Sequence, residues 1–497
     1  MKRLAIFICF LLVTVQVYAE VNSSKKLLIL NPNEIFYVRD NYNLNGEAID
    51  VPKGCVLKFD GGSIINGTLS SPEPFIIEAG LTQIFKNVKF TIERYNTIKI
   101  QAEWFGVERR NTDIENSKNL QDLFNSCKSL HVAFQDGVYR FSIDYPVTSY
   151  GRTTITGECA AHFSDTPRTW LVINGAPSEP KFFLTCDTER TTLKHVMFLT
   201  LNGNDYRKFS NIGAVFFRDI INPGNIDSAI DACMFYNVGC PVKAYGRGLS
   251  ITNTRIQESG GIILKQTKSD GNNLSQQPPF DGRGFFMDNI RVHWLTRGLK
   301  SGVYSAFGSK NHTLLTILHN NEVEHSAFFG VIMNNIYADG ACQLMDCDSD
   351  MNSLIMTNVF CARPLQDFLH FKRNVSNLIL SKMIIENAYH YISDTTGDQF
   401  VTFNGDVQDC ILSDNIFGGA NKEIIKVSGN GQHLINNFIL NNNIFKGGRG
   451  ILALENVDVT SLRILNNTLS RTKEFDHELR ILGDETRTSL RDYKIEN

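Results

Sequence analysis

The chain has 497 residues, more than one hydrophobic core usually organises, so it folds as several domains or as one elongated repeat architecture. Its 49 Lys and Arg against 52 Asp and Glu give a formal net charge of −3, which excludes a strongly basic nucleic-acid binder. An apolar content of 42% with 34 Phe excludes a wholly disordered chain. The 37 Gly and 47 Asn, residues that tolerate left-handed backbone, favour a turn-rich β protein.

Residues 1–19 have the pattern of a secretory signal peptide. Lys2 and Arg3 form a short basic segment, an apolar run follows from Ala5 to Val15, and Ala19 is a small residue at a cleavage site. We expect cleavage after Ala19 and an exported protein, periplasmic or secreted, with no membrane span left. A retained anchor is the alternative, and the shortness of the apolar run disfavours it.

Ten cysteines follow the expected cleavage site. Their spacing is irregular and contains no Cys-x-x-Cys motif, so structural zinc is not expected. Most occupy apolar, strand-like positions, which favours buried free thiols. Pairing of Cys342 with Cys347, or of Cys233 with Cys240, is the alternative in an exported protein.

Residues 20–100 show weak strand alternation and are interpreted as an N-terminal β cap or early coils of a repeat. The run from Val56 to Ser63 alternates between apolar and polar residues and then turns. Farther along, Leu120, Leu123 and Phe124 share one helical face. This spacing predicts a helix from Ser117 to Lys128, with Ser117 as its N-cap.

The segment pattern apolar-x-x-Asn-apolar recurs through the second half of the chain. The aligned positions are Asn253, Asn289, Asn335, Asn358, Met383, Asn415, Asn443 and Asn467. The shortest spacings are 23, 24 and 25 residues, which sets a unit of about two dozen residues. Two or three short strands per unit, with a turn residue at a fixed place, predict the coils of a parallel β-solenoid over residues 101–475, followed by a tail at 476–497. Propeller blades of about 40–50 residues are too long for this unit.

The beginning of this region resembles a known superfamily. Trp104-Phe105-Gly106, a polar loop, the helix, and a strand ending Phe134-Gln135-Asp136-Gly137-Val138-Tyr139 resemble the start of the pectate-lyase-like right-handed parallel β-helix superfamily. The stretch from Leu57 to Thr68 is similar to the N-terminal part of exported β-helix proteins of Bacteroides-type gut bacteria. The resemblance implies an all-β, single-stranded right-handed parallel β-helix with an N-terminal β cap and a short capping helix. The usual Gly-Asp-Gly after Phe-Gly is replaced from Val107 onward, which indicates a divergent branch.

Polar residues after the aligned positions predict a site. Equivalent positions on neighbouring coils stack about 4.8 Å apart, so chemistry is sought in columns. The predicted catalytic residues are His293 and Asp339, flanked by Glu258 and Glu386 as acid and base; the predicted substrate-binding residues are Trp294, Arg363, Gln257 and Asn387. The alternative is that these are solvated turn residues.

A compact acidic cluster lies at Asp346, Asp348 and Asp350. Oxygen ligands at this spacing could hold Ca²⁺, which many polysaccharide lyases of this superfamily use. No EF-hand-like Gly and Glu completes the pattern, so a solvated acidic loop is favoured. No cofactor is otherwise required.

The resemblance and the polar column together predict an exported carbohydrate-active protein. A polysaccharide lyase or a glycoside hydrolase acting on a complex or acidic glycan is the leading hypothesis. A non-catalytic glycan-binding or surface-adhesion protein is the alternative. The expected partner is a polysaccharide and not a nucleic acid, because the chain carries no excess of basic residues.

Overall fold

The computed structural model describes residues 31–496 with internal gaps. The segments outside the description are 1–30, 94–96, 161–167, 188–189, 202–208, 219–227, 246–247, 266–281, 294, 296–304, 309–310, 320–326, 341–342, 363, 365–366, 387–398, 420–422, 447–449, 471–476, 483–488 and 497. The expected signal peptide and the predicted site residues Trp294, Arg363 and Asn387 therefore lie outside the described residues. Within the described residues, no helix is long and apolar enough to cross a membrane.

The chain forms two compact units, one from residues up to Glu108 together with Lys118–Ala133, and one from Arg109–Ser117 together with Phe134–Asn497. The strands of the first unit pair in parallel, and Val56 lies beside Ile35 and Ile76 in register. Its strands are Ile35–Val38, Asn41–Asn43, Ala48–Asp50, Val56–Phe59, Ser63–Ser71, Ile76–Glu78, Phe85–Ile92, Ile98–Gln101 and Ser129–Ala133. Parallel strands that pair at intervals of about 20 residues are the pattern of successive coils of a solenoid.

The α-helix spans Asp113–Ser126 and follows a short 3₁₀ helix at Ala102–Phe105. The predicted start at Ser117 is wrong, because the helix begins four residues earlier. The N–H of Glu115 donates to Thr112 Oγ1 (3.3 Å), and the N–H of Thr112 donates to the Glu115 carboxylate (2.9 Å). This reciprocal capping box fixes the true N-terminus and leaves Ser117 buried inside the helix.

In the second unit, each strand pairs in parallel with the strand one coil farther along the chain, which in the first coils is three strands later. Gly137–Ser142 pairs with Thr169–Asn174, and Val147–Ser149 pairs with Lys181–Cys186. One coil therefore adds one strand to each of three sheets, which we name sheets 1, 2 and 3 in chain order. In sheet 1, alternate residues such as Ile256, Val292 and Ala338 point into the core.

The strands of the three sheets follow one another in strict rotation. Sheet 1 contains Gly137–Ser142, Thr169–Asn174, Met197–Leu199, Met234–Tyr236, Arg255–Gln257, Ile384–Glu386, Ile416–Gly418, Ile444–Lys446 and Thr468–Ser470, with the ends of Phe286–His293, Ala327–Asp339 and Asp350–Cys361. Sheet 2 contains Val147–Ser149, Lys181–Cys186, Ile212–Phe217, Cys240–Tyr245, Ile262–Lys265, Thr313–Leu318, Gln343–Cys347, Leu369–Phe371, Val401–Phe403 and His477–Leu482, with the starts of Ile425–Asn441 and Gly450–Val459. Sheet 3 contains Arg152–Thr156, Thr191–Lys194, Ser228–Asp231, Leu249–Thr252, Gly282–Arg283, Val375–Ser381, Val407–Ser413, Leu462–Leu465, Ser489–Leu490 and Tyr493–Glu496, with the remaining parts of the long strands.

The chain turns from sheet 3 into sheet 1 at a single residue with positive φ. These corner residues are His195, Ala232, Asn253, Asn289, Asn335, Asn358, Lys382, Asp414, Asn442 and Asn466, with φ between 49° and 59°. The predicted alignment is correct as far as Asn358. From Met383 onward it is one residue too late, because the last coils carry the aligned Asn one residue after the corner, at 415, 443 and 467. A one-residue error matters, since it moves every following side chain to the other side of its strand.

The residue after the corner forms a buried asparagine ladder in the last coils. Asn443 Oδ1 accepts from the backbone N–H and from Nδ2 of Asn415, at 3.1 and 2.9 Å. Asn443 Nδ2 donates to the Leu412 carbonyl (2.9 Å) and to Oδ1 of Asn467 (3.0 Å). The ladder satisfies polar groups that would otherwise be buried without partners.

The pairing of strands and the burial pattern confirm the predicted parallel β-helix. Cys233, Cys240 and Cys347 are buried free thiols, as favoured from the sequence. Cys342 lies outside the described residues.

Candidate functional sites

The outward side of sheet 1 carries the predicted polar column. Gln257 pairs in register with His293, and His293 pairs with Asp339. Nδ1 of His293 lies 3.6 Å from Oδ2 of Asp339, and the two side chains are 35% and 32% exposed. The structure thus brings together the two residues that the sequence favoured as a pair.

The two flanking carboxylates occupy different positions. Glu386 belongs to the same column two coils beyond Asp339, about 9.6 Å away along the sheet, and its carboxylate lies 3.9 Å from Lys446 Nζ. Glu258 is one residue past the column, at a corner with φ of 48°, and is buried. Glu386 therefore shares a face with Asp339, whereas Glu258 does not project with them.

A second outward column on sheet 1 was missed from the sequence. Arg255, Arg291, Tyr337 and Phe360 pair in register on four successive coils, two residues before the polar column on the same strands. The rings of Tyr337 and Phe360 stack, with centroids 5.1 Å apart and planes 14° apart. The alternation of side chains along a strand would have identified this column, since residues two apart share a face.

The three aspartates of the acidic cluster do not converge. Asp348 pairs with Arg373 at 3.3 Å, and Asp350 accepts the backbone N–H of Asn374 at 3.1 Å. Asp346 is 1% exposed and belongs to a separate network. Over the described ranges, no group of three or more His, Cys, Asp or Glu side chains is placed to hold a metal ion. The Ca²⁺ site considered from the sequence is therefore not formed by these residues.

Asp346 anchors a hydrogen-bonded network on the outward side of sheet 2. Its Oδ1 lies 3.0 Å from Nδ1 of His370, and its Oδ2 accepts from Lys372 Nζ at 2.9 Å. Nδ2 of Asn404 lies 3.0 Å from the other ring nitrogen of His370, Nε2. Asn404 is exposed, whereas the side chain of His370 is 16% exposed, so the network runs from solvent to a buried carboxylate.

Thr402 stands beside His370 on the next coil of sheet 2. It pairs in register with His370 and is 6% exposed, and its Oγ1 has no hydrogen-bond partner among the residues that the structure describes. Lys426 follows on the next coil and forms a 2.8 Å ion pair with Glu455. A buried hydroxyl without a partner is costly, and a bound ligand can supply the missing partner.

The carboxylate of Glu455 is ionised at neutral pH. The hydrogen bond from Lys426 lowers the pKa of Glu455 below its usual 4.5, against the opposing effect of partial burial. Ser428 Oγ adds a further bond to the same carboxylate at 3.1 Å. Glu455 is therefore an ionised acceptor and not a proton donor.

Aromatic rings and lysines occupy sheet 2 in the preceding coils. Lys243 Nζ lies 5.8 Å from the ring centroid of Phe216 and 5.3 Å from that of Tyr245. The two rings are themselves 4.9 Å apart in an edge-to-face arrangement. One column of paired positions on sheet 2 runs through Phe216, Lys243, Ile263, Thr316, Asp346, His370, Thr402 and Lys426.

The sequence reasoning missed the network because its members lie on separate coils and form no local motif. A signal was present in the spacing. Asp346 to His370 is 24 residues and His370 to Thr402 is 32, the same intervals that separate the corner residues Asn358, Lys382 and Asp414. Chemically useful residues that recur at the repeat interval are candidates for one column.

Comparisons with known proteins find distant likenesses in fold. No family model matches the chain, and no curated protein matches it. A catalytic unit of an α-1,3-glucanase from Streptomyces thermodiastaticus is 10% identical with a TM-score of 0.35, over 78% of this chain and 69% of the other. An alginate lyase from Paenibacillus is 10% identical with a TM-score of 0.27, over 72% and 97%. The Streptococcus pneumoniae surface adhesin PfbA is 12% identical with a TM-score of 0.24, over 80% and 99%. These likenesses assign no activity, so function is argued from the residues of this chain.

Proposed function

We propose that this protein is an exported, divergent relative of the pectate-lyase-like proteins that binds an acidic polysaccharide along sheet 2 and cleaves it by β-elimination. The observation that carries the proposal is the contact between the buried carboxylate of Asp346 and His370, which fixes the position of the imidazole on sheet 2. The Asp346–His370 pair lies in the same column of sheet 2 as Phe216, Lys243 and Lys426. This arrangement combines a binding surface with a reactive group.

The column on sheet 2 suits a ligand that is itself a repeating chain. Its positions recur about every 4.8 Å, so equivalent groups can contact successive parts of an extended molecule. The rings of Phe216 and Tyr245 offer apolar surface of the kind that packs against sugars. Lys243 and Lys372 place positive charge along the same sheet, which favours carboxylate-bearing sugars.

His370 is the residue that we assign as general base. Nδ1–H of His370 donates a hydrogen bond to the buried Asp346 carboxylate, and this bond selects the tautomer in which Nε2 carries the lone pair. Nε2 accepts a hydrogen bond from the side-chain amide of Asn404. Asn404 is exposed, so a ligand can displace its side chain. A sugar proton that takes this position lies within reach of the base.

The charges in the network favour elimination over hydrolysis. In the elimination, His370 Nε2 takes the C5 proton beside the uronate carboxylate, the electron pair forms the C4=C5 double bond, the C4–O bond breaks, and the departing oxygen takes a proton from solvent. Lys372 stands beside the base and counters the charge that develops on the carboxylate. Hydrolysis needs a protonated carboxyl opposite a second carboxylate, whereas Asp346 binds two donors and Glu455 is ionised.

The test is a panel of acidic and neutral polysaccharides incubated with the purified full chain, followed by ultraviolet absorbance and reducing-end assays. We expect an ultraviolet-absorbing unsaturated product from a uronate polymer, and its loss in His370→Gln. Reducing ends without ultraviolet absorbance would indicate a hydrolase instead. Binding without product across the panel would indicate a glycan-binding or adhesion protein.

A matched control is available in the same chain. His433 Nδ1 also lies 3.0 Å from an aspartate oxygen, Asp406 Oδ1, but that pair stands where the strand enters sheet 3. His433→Gln removes the same kind of contact without touching the proposed site. If His370→Gln and His433→Gln lose product formation equally, the substitutions act through folding and not through catalysis.

A further inference from the structure

We infer that sheet 1 carries a separate, non-catalytic binding site for an anionic saccharide chain. The site consists of Arg255, Arg291, Tyr337 and Phe360, which project outward from four successive coils. It lies on a different sheet from Asp346 and His370 and does not depend on sheet 2 being catalytic. We name these four residues the arginine–aromatic column.

The two arginines of this column are like charges in paired positions. Arg255 and Arg291 occupy directly paired positions on adjacent strands, an arrangement in which like charges repel each other. Neither guanidinium forms a hydrogen bond or an ion pair with any residue in the described part of the chain. Two other arginines of the second unit do have carboxylate partners: Arg463 lies 3.2 Å from Asp492, and Arg218 binds Asp187. A bound anion would relieve the repulsion that the fold leaves in place.

The aromatic pair continues the same column. Tyr337 is 48% exposed, so a large part of its ring is accessible to a ligand. Its stacking distance of 5.1 Å to Phe360 is close to the spacing of the coils, so the ring planes lie across the direction in which coils stack. The second face of Tyr337 therefore points toward the coil of Arg291. A sugar ring between these two residues would contact an aromatic face and a guanidinium together.

Apolar residues bound the arginine–aromatic column on both sides. Met234 precedes Arg255 in register and is 2% exposed, and Ile384 follows Phe360. The column therefore covers three coil intervals, about 14 Å. This length suits a short run of sugar units from a longer chain.

The charge pattern of sheet 1 favours a saccharide over a polyphosphate. Asp339 and Glu386 lie on the same outward surface and would repel a ligand with dense negative charge. Two guanidiniums followed by a ring stack match a ligand whose acidic groups alternate with apolar ring faces. Carboxylate groups of uronates and sulfate esters share this chemistry.

The experiment measures binding of the full chain in the His370→Gln background, so that cleavage does not interfere. Affinity electrophoresis and calorimetry would use polygalacturonate and alginate as carboxylate ligands, chondroitin sulfate as a sulfated ligand, dextran as a neutral ligand, and a DNA oligonucleotide. We expect one or more anionic glycans, but not dextran, to bind. The double variant Arg255→Ala/Arg291→Ala should weaken that binding about tenfold or more. Tyr337→Ala should weaken it also, and Tyr337→Phe should restore it.

Arg463→Ala, which removes a paired arginine from sheet 3, is the matched control and should bind as the parent does. Unchanged affinity in the double arginine variant would overturn the inference, as would an equal loss in Arg463→Ala. Arginine-dependent binding of DNA alone would overturn the choice of a saccharide. Arginine-dependent binding of only the carboxylated or only the sulfated glycans would support the site and identify the anionic group that it recognises. A second measurement uses Arg255→Ala/Arg291→Ala in a chain that keeps His370. If this variant cleaves short oligosaccharides normally although the polysaccharide binds more weakly, the site on sheet 1 is separate from the one on sheet 2.

Discussion

Asp346 and His370 are paired by the backbone register of sheet 2 and again by their side chains, whose Oδ1 and Nδ1 atoms lie 3.0 Å apart. The register places the two residues one coil spacing apart, and the burial of Asp346 strengthens the contact. In the proposed mechanism, Nδ1–H donates to this carboxylate, which leaves the lone pair of the imidazole on Nε2. The first prediction tests this orientation.

Asp346→Asn should lower the turnover number on a uronate polymer about 100-fold or more, because the imidazole loses the partner that fixes its tautomer. Steady-state kinetics by ultraviolet absorbance is the measurement. Asp339→Asn, on sheet 1, should leave cleavage of a short oligosaccharide at the wild-type rate. The reverse result would return the catalytic centre to the His293–Asp339 pair that the sequence favoured.

Thr402→Val should separate binding from stability. The hydroxyl of Thr402 is buried and makes no hydrogen bond within the described residues, so its replacement by a methyl group should leave the free energy of unfolding unchanged or raise it by about 1 kcal/mol. Affinity for the polysaccharide should fall, since the ligand loses its partner. Thr402→Ser keeps the hydroxyl and should bind normally. A clear loss of stability in Thr402→Val, measured by urea unfolding, would show that the hydroxyl is already satisfied.

Asn443→Ala should destabilise the last coils by about 2–3 kcal/mol, because both the amide of Asn415 and the Leu412 carbonyl lose a buried partner. The neighbouring corner residue supplies the control. Asn442→Gly keeps the positive φ of 55° and should change stability by less than about 0.5 kcal/mol. Similar losses from the two substitutions in urea unfolding would contradict the role assigned to the ladder.

Glu455→Gln should change the acid limb of the stability curve. The pKa of Glu455 is lower in the folded chain than its usual 4.5, so its contribution is fully present above that value and is lost as pH falls through the folded pKa. The variant should be less stable than the wild type at pH 7 and equally stable at about pH 2. A difference in unfolding free energy that persists unchanged to the lowest pH would point to packing instead of charge.

The thiol of Cys347 should resist alkylation in the native protein. Burial raises its pKa to about 12, so almost no thiolate exists at neutral pH, and access is also blocked. Mass spectrometry after iodoacetamide treatment should find Cys347 unmodified until denaturant is added. Cys127, which is only partly buried, should react sooner and serves as the internal comparison. Rapid native labelling of Cys347 would show that the strand opens.

The sequence by itself determined the parallel β-helix. Asparagine at corner positions such as Asn253 and Asn289, with strand alternation between corners, follows from local backbone preferences that act within one coil. The same pattern was enough to place His293 beside Asp339, because the aligned residues Asn289 and Asn335 are the corners of their two coils.

Only the tertiary structure decided the register of the later coils and the network on sheet 2. Adjacent asparagines at 442–443 and 466–467 allow two alignments, and only the strand pairing showed that Glu386 shares the column of Asp339. Asp346, His370 and Thr402 carry no common local motif. They meet because parallel strands from distant parts of the chain stack one coil apart, with intervals set by loops of variable length. Local preferences define each coil, whereas the contacts between coils depend on the whole stack.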